Sequence, residues 1–155
     1  MDTELERPRW RFTGNYRIAR WLSLGVEVNP EAGEVGPLVS LFALTETETR
    51  PAVFFGTSSD RIGSPKGTQS YYMTAAKYLP ALHLAPYATV NYSEWDEGVN
   101  FPFGATLELG RGFSVRPMYD GQRTHLLGSW FRNTYGVTLI WAWLEEPGVA
   151  ISFGF

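Results

Sequence analysis

Apolar residues return at every second position along most of this chain, and the positions between them are small rather than charged. In the last segment Val149, Ile151, Phe153 and Phe155 alternate with Gly148, Ala150, Ser152 and Gly154. Just before it, Tyr135, Val137, Leu139, Trp141 and Trp143 alternate with Gly136, Thr138, Ile140 and Ala142. A period of two sends successive side chains to opposite faces of a strand, and a helical period is hard to find. A strand with one face in water would set Lys, Glu, Arg and Thr opposite its apolar stripe. Gly, Ala, Ser and Thr suit a narrow, crowded interior, and a bulky apolar stripe suits hydrocarbon. The pattern therefore predicts an all-β fold: an antiparallel up-and-down transmembrane β-barrel of about 10–12 strands.

Turn chemistry divides the chain. Tyr16 and Ile18 are expected to face Leu24 and Leu22 across a three-residue turn, Ala19–Trp21, which puts the apolar positions of both strands on one face. Further strands are predicted near 35–46, 50–58, 70–79, 83–92, 99–109, 112–119, 122–131, 134–144 and 147–155. That makes eleven candidates, whereas single-chain bacterial barrels normally have an even number. The connections are rich in Gly, Pro, Asn and Asp, and the longest is Ser59–Gln69. One domain over 1–155 is expected, with 1–8 as a disordered tail.

Composition removes several function classes. The chain has no cysteine, so disulfides, thiol nucleophiles and thiolate metal sites are excluded. A net charge of −3, with no basic stripe and no Gly-rich phosphate loop, gives nucleic acid and nucleotides no support. No stretch approaches the roughly 18 apolar residues of a membrane helix. The acidic opening Met1–Pro8 lacks the apolar run of a signal peptide, so an exported form is expected to be a mature one.

The most specific motif is Gly148-Val-Ala-Ile-Ser-Phe-Gly-Phe155. It resembles the C-terminal strand signature of bacterial outer-membrane β-barrel proteins. That resemblance implies an outer-membrane location, a lipid bilayer or detergent as surroundings, and recognition of Val149, Ile151, Phe153 and Phe155 by the barrel-assembly machinery. It also implies sides: Asn29–Glu34, Ser59–Gln69 and Ser93–Gly98 extracellular, the turns at 47–49, 79–82 and 110–112 periplasmic. Tyr16, Trp21, Tyr71, Tyr72, Tyr78, Tyr92, Trp95, Tyr119, Trp130 and Tyr135 fall near predicted strand ends, as an aromatic girdle at headgroup level would.

Candidate site residues are few. Arg11, Arg17, Glu27, Lys77, Glu108 and Arg116 are isolated charges on the small-residue face, where they could set selectivity or pair into a plug. Asp60 and Arg61, entering the longest loop, are candidates for a constriction or simply for a paired strand end. His83 is expected on an interior face, and Ser129 lies four residues beyond His125; a His–Ser pair is what a lipid-modifying enzyme would need. Glu46, Glu48, Glu94, Asp96 and Glu97 read as solvated loop acids rather than metal ligands. The sequence thus predicts a non-enzymatic membrane barrel without cofactor or metal, acting as a narrow pore or a scaffold. The alternatives are a soluble calyx for an apolar ligand and, third, a lipid-modifying enzyme.

Overall fold

The computed structural model describes residues 11–30, 33–60, 64–65 and 67–154. The predicted tail 1–8, Arg61 and Phe155 lie outside the described residues. The strands are β1 (Phe12–Ala19), β2 (Leu22–Asn29), β3 (Glu34–Leu44), β4 (Ala52–Ser59), β5 (Gln69–Ala76), β6 (Leu84–Ser93), β7 (Gly98–Asn100), β8 (Phe103–Gly110), β9 (Phe113–Tyr119), β10 (Thr124–Arg132), β11 (Tyr135–Ala142) and β12 (Glu146–Phe153). They form one twelve-stranded antiparallel up-and-down sheet in chain order, with β7 paired only to β6. Among the described residues β12 is not paired with β1. The only helical piece among them is a single 3-10 turn, Pro80–Leu82, and no helix is long and apolar enough to cross a membrane.

Two expectations change in detail. The segment 99–109 is two strands, because Phe101–Pro102 interrupts it. Proline has no N–H to give a ladder. β6 consequently pairs with β7 through Asn91–Ser93 and with β8 through Leu84–Ala88. In the first hairpin Tyr16 does face Leu24, but Ala19 rather than Ile18 faces Leu22. A bulge between Arg17 and Ala19 absorbs the extra residue, leaving Arg20–Trp21 as a two-residue turn.

By compactness the chain divides into two units. The first gathers the chain up to Ala75 together with Thr89–Asn100. Its pairing aligns Thr13, Glu27 and Gly36 on one face and Phe12, Val28 and Val35 on the other. The apolar face is the open one: Tyr16 is 75% exposed, whereas Glu27 opposite is 2% exposed. Near the β1–β2 turn the small-residue face also carries aromatics. Phe42 and Phe54 pair across β3 and β4 with ring centroids 6.0 Å apart, Tyr72 meets Phe54 edge-on, and the Arg17 guanidinium lies over Phe42. Tyr72, expected in an outer girdle, is therefore on the opposite face.

The second unit contains Ala76–Ala88 and Phe101–Phe155. Here Ser114, Ser129 and Thr138 share one face, while Phe113, Trp130, Val137 and Ile151 share the other. Phe113, Trp130 and Tyr135 make a row of ring contacts on that exposed face, and Phe153 is 71% exposed. Among the described residues the buried hydrophobic side chain is Ala142, at 7% exposure, against eleven buried polar or charged ones.

Aromatic rings on the small-residue face lie over glycines of the next strand, which is where the sequence's glycines matter. Tyr87 faces Gly104, and Phe131 faces Gly136. A Cβ at Gly136 would overlap the Phe131 ring and approach Ser152 Oγ. Gly136→Val is expected to cost about 1–3 kcal/mol by overpacking, whereas Gly128→Ala, where a Cβ meets open space, should change little. Urea midpoints of the refolded variants check the contrast.

Candidate functional site

The polar chemistry of the first unit gathers where β2 ends and β3 begins. Alternation puts Glu27 and Asn29 on one face, and the hairpin sets Glu34 opposite Asn29. Glu27 accepts an ion-paired hydrogen bond from Arg11, a hydroxyl from Ser59 on β4, and the Asn29 amide at 3.4 Å. Asn29 also reaches Glu34 Oε2 at 3.3 Å, and the Gly67 backbone N–H donates to Glu34 Oε1 at 2.6 Å. Buried carboxylates are tolerated only with partners, and these supply them.

A second knot ties the long connection after β4 to the β6–β7 turn. Buried Asp60 accepts the Ser93 hydroxyl at 2.7 Å and the Trp95 N–H at 3.2 Å. Its own N–H donates to Thr68 O, closing the connection at its base. Beside it Glu94 accepts the Gln69 N–H at 2.8 Å and the Tyr71 hydroxyl at 3.1 Å. Ser64 is 1% exposed, and its Oγ has no partner among the described residues.

In the second unit a half-buried aspartate meets a buried histidine. Asp120 closes the β9–β10 turn: its Oδ1 accepts the Gln122 and Arg123 amides at 2.9 and 2.8 Å. Its Oδ2 meets His125 Nε2 at 2.8 Å, and His125 Nδ1 accepts the Trp143 N–H at 3.3 Å. Burial pushes the Asp120 carboxyl upward, but the bonds from His125 and from the Arg123 and Gln122 amides outweigh it and hold it below the usual carboxylate value.

No family model, curated protein or solved structure matches this chain. The geometry of the chain itself therefore carries the functional argument.

The six charges predicted for the small-residue face have these contacts. Arg11 and Glu27 pair, and Arg17 stacks on Phe42. In the second unit Glu108 accepts the Tyr78 hydroxyl at 2.8 Å, and Arg116 Nε donates to Thr106 Oγ1 at 2.8 Å. Lys77 follows β5, with its N–H on Pro86 O. Val149, Ile151 and Phe153 stand exposed on one face of β12.

The histidines do not make a nucleophile pair. His83, expected on a strand face, occupies the turn before β6 in a left-handed conformation and is exposed. Both ring nitrogens of His125 are engaged, and the Ser129 hydroxyl is with Thr138 Oγ1 at 2.9 Å. Four residues along a strand is about 13 Å, too far for proton transfer. Among the described residues no group of three or more His, Asp or Glu side chains is placed to hold a metal ion.

Sequence reasoning passed over Asn29, Glu34, Ser59, Ser93 and Asp120. Two of them had a local signal: Asn29 extends the Glu27 face by two residues, and Asp120-Gly121 is a turn pair whose aspartate caps its own loop. Ser59 and Ser93 had none, because their partners lie 32 and 33 residues away.

Proposed function

We propose that this chain is a small bacterial outer-membrane β-barrel without enzymatic chemistry, serving as a narrow pore or as a membrane scaffold and surface-interaction module. The observation that carries the reading is the inverted burial: Glu27, Asp60 and His125 enclosed, Leu139, Ile151 and Phe153 outside. A water-soluble sheet gains stability by hiding such stripes, and a lipid-facing one needs them exposed. Strands of about eight residues run roughly 26 Å along the chain, which at a tilt of about 40° spans about 20 Å of the apolar band of about 25 Å on outer-membrane barrels. The exposed ring row Phe113–Trp130–Tyr135 suits an aromatic girdle.

Barrel closure is part of the proposal. The paired path has eleven strands, so β1 and β12 run in the same sense. A direct seam between them would be parallel, as closure of an odd-stranded sheet requires. A barrel of this size stands between those filled by side chains and those with open channels, and the Arg11–Glu27 pair is of the kind that fills one. A calyx would need the Val, Phe and Trp stripes enclosed, where they meet no solvent.

Leu139→Arg tests the orientation. Leu139 is mid-strand on the exposed face, so in lipid vesicles arginine there should cost about 2–4 kcal/mol, read from urea unfolding. At a water-facing position the same change would stay within about 0.5 kcal/mol, and that result would overturn the membrane reading. Single-channel recording in planar bilayers then separates the two roles: discrete currents assign a pore, silence a scaffold.

A further inference from the structure

The contacts of His125 join two neighbouring connections of the second unit through one ring. Nε2 holds Asp120, the closing residue of the β9–β10 turn. Nδ1 holds the backbone N–H of Trp143, which opens the β11–β12 turn. Because an N–H points at Nδ1, that nitrogen presents its lone pair, and the ring proton sits on Nε2 and points at the carboxylate. The ring is 3% exposed, so water does not substitute for either bond. The turn it holds is a conformationally costly one: Trp143 and Leu144 both have positive φ, 55° and 60°, without being glycine. The Arg123 guanidinium, 4.6 Å from the Trp143 ring centroid, is a second tie between the same two connections.

We propose that His125 is a pH-operated latch that releases the β11–β12 turn, and not the β9–β10 turn, when the ring takes up a second proton. The proton can only go to Nδ1. There it makes an N–H face the Trp143 N–H, donor against donor, and that hydrogen bond is lost. On the other side the ring becomes cationic against the Asp120 carboxylate, and that contact strengthens. One protonation therefore loosens one connection while tightening its neighbour. The strained pair Trp143–Leu144, left with the Arg123 contact on the Trp143 ring as its tie to the β9–β10 connection, moves.

The charged groups around the ring agree with this division. Asp120 faces it from the β9–β10 connection, and Arg123 from the same connection is over Trp143. From β9 the residue opposite is the uncharged Met118, with Arg116 two residues back and engaged with Thr106. On the β11 side Ala142 pairs with Glu146 of β12, and exposed Glu145 stands in the turn between them, its N–H on Ala142 O. Asp120, held below the ordinary carboxylate range, stays ionised at about pH 5, so an acid response there is not its own. The latch does not depend on whether the sheet lies in a membrane.

The chain has no cysteine, so a spin label can be placed at a single introduced one. Glu145→Cys reports the β11–β12 turn and Gln122→Cys the β9–β10 turn; both positions are exposed. As the pH is lowered from about 8 to about 5, the label at 145 should pass from an immobilised to a mobile spectrum while the label at 122 does not. In His125→Asn, whose Oδ1 still accepts the Trp143 N–H but takes no proton, the response at 145 should vanish. Nitrogen NMR of the parent ring gives a reading that needs no variant: an unprotonated Nδ1 at about pH 8, protonated together with release. A label at 145 that ignores pH, a response that survives in His125→Asn, or an Nδ1 already protonated at about pH 8 would each overturn the latch.

Discussion

Diluted from denaturant into detergent micelles or lipid vesicles, the chain is expected to regain its β-sheet and to run on an unheated gel at a mobility that boiling changes; diluted into plain buffer, it is expected to aggregate. The magnitude behind this is large. Among the described residues twenty-nine large hydrophobic side chains are exposed. At about 25 cal/mol per Å² of apolar surface, leaving them in water forgoes on the order of tens of kcal/mol. A net stability of about 5–15 kcal/mol cannot absorb that. Contiguous apolar patches of this extent bind something or self-associate. A chain that stayed monodisperse and folded in buffer without amphiphile would sink the outer-membrane reading and return the soluble barrel to first place.

The second large effect is expected at Glu27. Glu27→Ala removes the acceptor shared by Arg11, Ser59 and Asn29 inside a buried cluster. Losing one partner of a buried ion pair and stranding its hydrogen-bond donors costs about 3–5 kcal/mol. Arg11 is less enclosed, its side chain 44% exposed, so Arg11→Ala should cost distinctly less. Urea unfolding in vesicles measures both. A Glu27→Ala loss within about 0.5 kcal/mol, the range of an ordinary surface position, would mean that the carboxylate meets solvent and that the polar face is not the enclosed one.

Much of the fold was legible because alternation is local. Val149 to Phe153 and Tyr135 to Ala142 declare their faces within eight residues, and pairing of the two follows from a short turn. Ile18 was misassigned because a bulge changes the count by one residue, and nothing in Arg-Ile-Ala announces a bulge. Pro102 coincides with the break in the long predicted strand, but Pro37, Pro86 and Pro117 lie inside β3, β6 and β9, so proline alone did not mark it. Tyr72 and Phe54 defeated the simple rule that rings go with the apolar stripe, since glycine on a neighbouring strand makes room for a ring on the small-residue face. The site was less legible than the fold. Glu27 was singled out as a charge on the small-residue face and Asp60 as the entrance to the longest loop, but their partners come from distant strands whose mutual register had to be known first. His125 drew attention for the wrong partner: its aspartate is five residues before it, and the serine four residues after it is occupied elsewhere.

That Ala142 is the buried hydrophobic side chain among the described residues also bears on how the protein meets temperature. The heat capacity of unfolding comes from apolar area newly wetted, about 0.45 cal/K/mol per Å², and polar area subtracts from it. In amphiphile the apolar area to be wetted is the outer face, while the enclosed Glu, Asp, Asn, Ser, Thr and His side chains subtract from the total. The free energy should therefore bend gently with temperature if the unfolded chain stays adsorbed to lipid, and steeply if it is released into water.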